Sequence, residues 1–138
     1  FSMRMQGSSD NVVALPGPAA LPSTISLWGG LADSLAVFGQ ERARTQHFVC
    51  PAVNAEDETA FHFPPGVKMI ALPPPLAVRD ANFDYSAKYE QGPGGVTVKR
   101  RLHFQHSGMV CSPDDYRRMR PLIERMLRDL KSQIIVGR

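Results

Sequence analysis

The chain carries only two cysteines in 138 residues, Cys50 and Cys111. That excludes the dense disulfide frameworks of small secreted scaffolds, and one domain's length with 43% hydrophobic residues can bury a core without them. No run approaches the 18 or so uninterrupted apolar residues that a membrane-spanning helix needs, and no charged-then-apolar leader opens the sequence. Phe1-Ser2-Met3 reads like the remnant of a protease cleavage site, so the gene is expected to continue upstream. Charge of one sign is scarce too. Sixteen basic against 13 acidic residues leave +3, far below the positive field of a dedicated nucleic-acid binder. Missing as well are a GxSxG elbow, a phosphate-binding glycine loop and an HExxH pair, so no standard hydrolase, nucleotide or zinc-protease motif is present.

What is there is proline and alternation. Residues 4–23, RMQGSSDNVVALPGPAALPS, mix Gly, Ser and Pro without a period and read as an incoming linker, leaving 24–138 as one folded domain. Leu31, Leu35 and Phe38 are spaced for a short helix with Gly39 as its C-cap, although TISLW (24–28) alone would suit a strand. TQHFVCPAV reads as a strand stopped by Pro51. Ala60–Phe63 and Val67–Leu72 read as two more strands around a Pro-Pro-Gly turn at 64–66. Prolines at strand ends, repeated at short intervals, predict an all-β sandwich.

The clearest segment is FDYSAKYEQGPGGVTVKRRLHF, 83–104. Phe83, Tyr85, Ala87 and Tyr89 share one face of a first strand; Val96, Val98, Leu102 and Phe104 share the inner face of a second, with Thr97, Lys99, Arg101 and His103 outward. The turn QGPGG supplies positive φ. This register also sends Arg100 inward, where a bare guanidinium costs several kcal/mol. Either a carboxylate such as Asp80 or Asp84 pairs with it, or a β-bulge returns it to solvent.

The last segment opens as a helix should, with Ser112 to cap, Pro113 in the first turn, and Asp114 and Asp115 at the positive end of the dipole. Tyr116, Met119, Ile123, Met126, Leu127 and Leu130 form its apolar stripe. Arg117, Arg118, Glu124, Arg125, Arg128 and Asp129 are assigned to the solvated face. Pro121 predicts a kink or break near Arg120, and Gln133–Val136 reads as an edge strand or terminal tether.

Chemistry has few candidates. A Cys50–Cys111 disulfide across 61 positions and two buried free thiols both fit the sequence. Zinc held by His47, His106 and the two cysteines has the right ligand types but not the paired knuckle spacing, and His62 and His103 read as polar-face residues. Cys111, just before a helix cap, is the more reactive thiol if either is free. The tracts KRR (99–101) and RRMR (117–120) are interleaved with acids or core residues and lack an aromatic platform for single strands. No catalytic residue, metal or cofactor is expected.

From about Gln40 the order QERARTQHFVCPA, FHFPPGVKMIALPPP, NFDYSAKYEQGPGGVTVKRRLHF and SPDDYRRMRPLIERMLRD resembles the C-terminal β-rich domain of bacterial exported transglutaminase-like proteins. There a β-rich domain of unknown function precedes a papain-type catalytic domain, so the resemblance implies that any catalytic Cys, His and Asp lie upstream. The expected fold is mainly β: a β-sandwich-like antiparallel domain of six to seven strands with a C-terminal helix and a short N-terminal one. The expected function is that of a non-catalytic, extracytoplasmic (periplasmic) accessory domain. Its partners would be upstream domains of the same polypeptide or another envelope protein, docking on strand edges and the arm VVALPGPAALP (12–22), with no nucleic acid and no membrane span. The alternatives are a glycan- or peptide-binding module stacking ligands on Trp28, Tyr85 or Tyr89, and a cysteine-dependent redox or hydrolytic enzyme.

Overall fold

The structure, a computed structural model, describes residues 1–10, 14–25 and 28–138. In chain order these form β1 (Ala19–Pro22), α1 (Leu31–Phe38), β2 (Phe48–Val49), β3 (Val53–His62), β4 (Lys68–Ala71), β5 (Leu76–Arg79), β6 (Phe83–Gly92), β7 (Gly95–Phe104), β8 (Val110–Cys111), α2 (Pro113–Leu130) and β9 (Gln133–Gly137). The mainly β class holds, with nine strands among the described residues rather than six or seven. They form three antiparallel sheets of orders β3-β7-β6-β5, β1-β9-β4 and β2-β8.

The period-2 alternation of 83–104 becomes the β6–β7 hairpin, in register from Phe83↔Phe104 to Gly92↔Gly95. Pro93 and Gly94 close it, Gly94 at φ 73°, the left-handed value that glycine adopts without strain. Opposite faces follow from the same alternation. Lys99 and Arg101 point to solvent across from Glu58 and Glu56 of β3, so the basic tract is matched by acids on its neighbouring strand. The inner face is covered at one end by the helices and at the other by the three-stranded sheet. Phe83, Tyr85, Leu102 and Phe104 pack with Leu31, Leu35 and Phe38 of α1 and with Tyr116, Met119, Ile123 and Met126 of α2. Val96 and Val98 pack with Leu21, Ile134 and Val136.

α2 is held by a capping box. The Ser112 hydroxyl accepts from the Asp115 N–H at 3.1 Å and the Asp115 carboxylate accepts from the Ser112 N–H at 2.8 Å. The helix then runs unbroken over 18 residues through Pro121, which is exposed, so the expected break does not occur. Met119, Ile123 and Met126, on both sides of the proline, pack into one core. Gly39 ends α1, where an added Cβ would lie 2.7 Å from Leu127 Cδ1 and 2.8 Å from Ile123 Cγ2, so a larger residue would have to displace these α2 side chains. No helix among the described residues is long and apolar enough to cross a membrane.

Two expectations at the ends are corrected. Ala19–Pro22, assigned to the linker, is a strand paired with β9, and Ser23 behind it is fully buried. β9 is not an edge but the middle strand of its sheet, with Ile134 and Val136 at 0% exposure. That pairing spans most of the chain, which no local pattern reveals. Part of the arm expected to dock is thereby used internally. Val12 and Val13 of that arm, and Ser26 and Leu27 of TISLW, fall outside the described residues.

Candidate functional site

The short β2–β8 ladder forms a tongue beside the start of α2. Phe48 pairs with Cys111 and Val49 with Val110, so the inner positions reach the core while Val49 and Val110 face outward; Met109, just before β8, is exposed as well. Val49, Val110 and Met109 are 77%, 56% and 85% exposed, and Val49 and Val110 are directly opposed on the two-stranded sheet. Isolated exposed apolar residues are ordinary, whereas an opposed pair of them on one short ladder is a candidate contact surface.

The tongue is fastened at its base by a Cys50–Cys111 disulfide. His106 lies against it, the ligating atoms of Cys50, His106 and Cys111 falling within 4.8 Å of one another. With the sulfurs bonded to each other, they are not thiolate ligands or nucleophiles. His106 Nδ1 accepts from the Gly108 N–H at 3.1 Å, and its Nε2 is 3.9 Å from Asp115 Oδ2. The N–H and hydroxyl of Ser112, then Arg118, hold the Asp115 carboxyl below the ordinary carboxylate range despite its burial. His47, the other imidazole considered as a ligand, is exposed and outside this group, and His62 and His103 lie on the solvent face of the large sheet.

Arg100 does point inward and is 5% exposed, but its partner is Asp129 of α2, not Asp84. Asp84 is on the opposite face of β6, where it meets Arg101 at 3.0 Å and Arg79 at 3.3 Å. Side chains alternate along β6, so Asp84 cannot share a face with Tyr85 and Tyr89, between which the guanidinium sits. Arg100 Nε donates to Asp129 Oδ2 at 2.8 Å, Nη1 to the Ser23 carbonyl at 3.0 Å, and Nη2 to Ser23 Oγ at 2.8 Å and to the Tyr89 hydroxyl at 2.9 Å.

Tyr85 and Tyr89 each donate to Asp129, at 2.5 Å. Because the single Tyr89 proton goes to Asp129, Ser132 must donate to Tyr89 across 3.0 Å, and Ser23 to Ser132 across 2.7 Å. Burial works against the charge on Arg100, but the hydrogen bond and charge of Asp129 outweigh it and leave its pKa above the ordinary value. Burial, and then the carboxylate of Asp129, raise the pKa of both tyrosines. Asp57 lies directly across from Arg100 on β3; burial lifts its carboxyl above the usual range against the pull of Arg100.

This network occupies the seam between the two apolar clusters. Arg100 falls between Val98 of one and Leu102 of the other, and Tyr89 packs against both. Its chemistry is structural: every strong donor is answered from within, by residues of β6, β7, α2 and the segments flanking β1 and β9. Tyr85 and Tyr89 are consequently spoken for, and of the three aromatics considered for stacking a ligand only Trp28 is exposed.

The family described as a domain of unknown function with a solved structure, DUF3858, matches residues 33–136. No curated protein sequence is similar enough to count as a match. Among solved structures, a Parabacteroides distasonis protein described as a "putative protease" shares the fold, with TM-score 0.68 and 14% identity over 87% of this chain. The chain spans 23% of that protein's length. With its family matched over more than half of its residues, the chain belongs to the DUF3858 family of domains of unknown function.

Proposed function

We propose that this domain is a non-catalytic accessory module of a larger extracytoplasmic polypeptide, packing on an upstream catalytic unit of transglutaminase-like, papain-type design. The observation that carries this reading is the β2–β8 tongue, which presents the opposed pair Val49 and Val110, with Met109 next to it in sequence, to solvent. An apolar contact surface beside a disulfide suits a module seated on a neighbour in an oxidising compartment. The similarity to a protein of which this chain covers 23% supports a place within a larger chain. The solvent face of the large sheet, by contrast, is laced with mixed charge pairs such as Lys99–Glu90 and Arg101–Asp84, a poor surface for apolar docking.

The test is to assay the isolated domain and the full polypeptide side by side for peptidase and transglutaminase activity on casein. The reading expects activity in the full polypeptide alone, abolished by replacing its upstream cysteine and unaffected by Cys111→Ser under conditions where the protein stays folded. Turnover by the isolated domain would overturn it.

A further inference from the structure

A second surface, away from the buried network, is built from arginine. The loop after α1 and one side of α2 enclose a cleft of about 170 Å³, lined by Arg42, Arg44, Arg117 and Arg120 with Pro113, Tyr116 and Pro121. Two of these guanidinium groups are satisfied internally. Arg117 meets Asp114 at 2.6 Å; Arg120 meets Glu124 at 3.0 Å and donates to the Gly39 carbonyl at 2.5 Å. Arg42 and Arg44 are in no salt bridge among the described residues.

Arg44 is the informative one. Its guanidinium carbon lies 4.2 Å from the centre of the Phe48 ring and 5.0 Å from that of Tyr116, so one side chain is held against two aromatic rings. Its Nε is buried and has no hydrogen-bond acceptor. A guanidinium gripped in this way has lost water from its faces while its Nε–H still lacks an acceptor. The tyrosine beneath it is itself fixed, its hydroxyl donating to the Glu41 carbonyl at 2.5 Å, so the floor of the cleft is preorganised.

We propose that this cleft is a receptor for a carboxylate carried on a peptide. Charge sets the sign of the ligand. The planar fork of Arg44 favours a carboxylate taken in two parallel hydrogen bonds, with Arg42 closing over it. Tyr116 and the rings of Pro113 and Pro121 add apolar walls that suit the methylene stem of a glutamate or aspartate side chain, which a bare inorganic anion would leave unfilled. This site deepens the accessory role by giving the domain a polar contact for an acidic segment, and it stands or falls separately from the apolar tongue.

The experiment is a two-dimensional ¹⁵N–¹H NMR titration of the whole domain with acetyl-Ala-Glu-amide, acetyl-Ala-Gln-amide and inorganic phosphate, following the amides of residues 42–48 and 113–121 and the Arg44 Nε–Hε signal. Expected is saturable binding of the glutamate peptide with the Arg44 Nε–Hε signal moving most, and at least tenfold weaker binding of the glutamine peptide and of phosphate. Arg44→Gln should weaken the glutamate peptide at least tenfold. Arg42→Gln, an exposed change that leaves the core untouched, should weaken it several-fold, and Arg101→Gln on the far sheet face should do nothing. Equal binding of the glutamine peptide, phosphate binding as tight as the glutamate peptide, or unchanged affinity in Arg42→Gln would each overturn the proposal.

Discussion

Replacing Asp129 by Asn removes the one charge that answers Arg100 while keeping the shape of the side chain. Three donors converge on that carboxylate: Arg100 Nε at 2.8 Å and the hydroxyls of Tyr85 and Tyr89 at 2.5 Å each. Breaking a buried pair by deleting one partner costs about 3–5 kcal/mol, because the remaining charge stays desolvated. Asp57, across the strand from Arg100, can recover part of this, which places the expected loss toward the lower half of that range. With an m-value of about 2 kcal/mol per M, a loss of about 3–4 kcal/mol lowers the urea midpoint by nearly 2 M at unchanged m. The assay is equilibrium unfolding followed by far-UV circular dichroism.

A second variant separates charge from packing. Arg100→Met with Asp129→Leu alone strands the two tyrosine hydroxyls, each costing about 1–3 kcal/mol, so the apolar replacement is made with Tyr85→Phe and Tyr89→Phe as well. The fourfold variant should regain most of the loss, as apolar replacement of buried ion pairs often does. An Asp129→Asn protein within about 1 kcal/mol of the parent would refute the reasoning, since the guanidinium would then have to be solvated in spite of its burial.

Two further outcomes follow from the same structure. The folded-state pKa of Tyr85 is raised above its unfolded value near 10, so the folded chain keeps a proton that the unfolded chain loses; stability is full below about pH 10 and falls above it by up to 1.4 kcal/mol per pH unit per buried tyrosine. Urea midpoints taken between pH 8 and 11 should drop more steeply for the parent than for Tyr85→Phe, Tyr89→Phe. The disulfide closes a loop with a sequence separation of 61, and its removal should cost about 4 kcal/mol on the chain-entropy account. Intact mass without reductant should be two hydrogens below the dithiol form, and a thermal melt with a dithiol reductant should shift down accordingly.

The parts legible in the sequence are those written locally. Alternation over 83–90 and over 96–104, interrupted only at Arg100, on either side of a Pro-Gly turn specifies the β6–β7 hairpin, and Ser112 through Asp115 announce the start of α2. Period 2 also sends Arg100 inward, and the structure has no bulge in β7 to return it to solvent. Its partner is not legible. Asp129 sits in RMLRDLK among charged neighbours and resembles the outer face, though it stands three residues beyond Met126 and so continues the buried stripe. The β1–β9 pairing is illegible for a related reason: AALP has no strand signature, and its register with Gln133–Val136 is set by contacts more than 100 residues apart. Of the candidate surfaces, the exposed side of the tongue was hidden because FVC reads as an apolar core strand until its two-residue length is known. The arginine cleft brings together residues from the 42–44 loop and two turns of α2, a juxtaposition only the fold makes.

The measurement that tests the central reading most directly is hydrogen–deuterium exchange of residues 46–52 and 107–111 in the isolated domain and in the full polypeptide. If the tongue seats on an upstream unit, these amides exchange more slowly in the full polypeptide, and Val49→Asp with Val110→Asp removes that protection while leaving the hairpin at 83–104 unchanged. Identical exchange in the two forms, with the tongue equally open in both, would contradict a docking role for it.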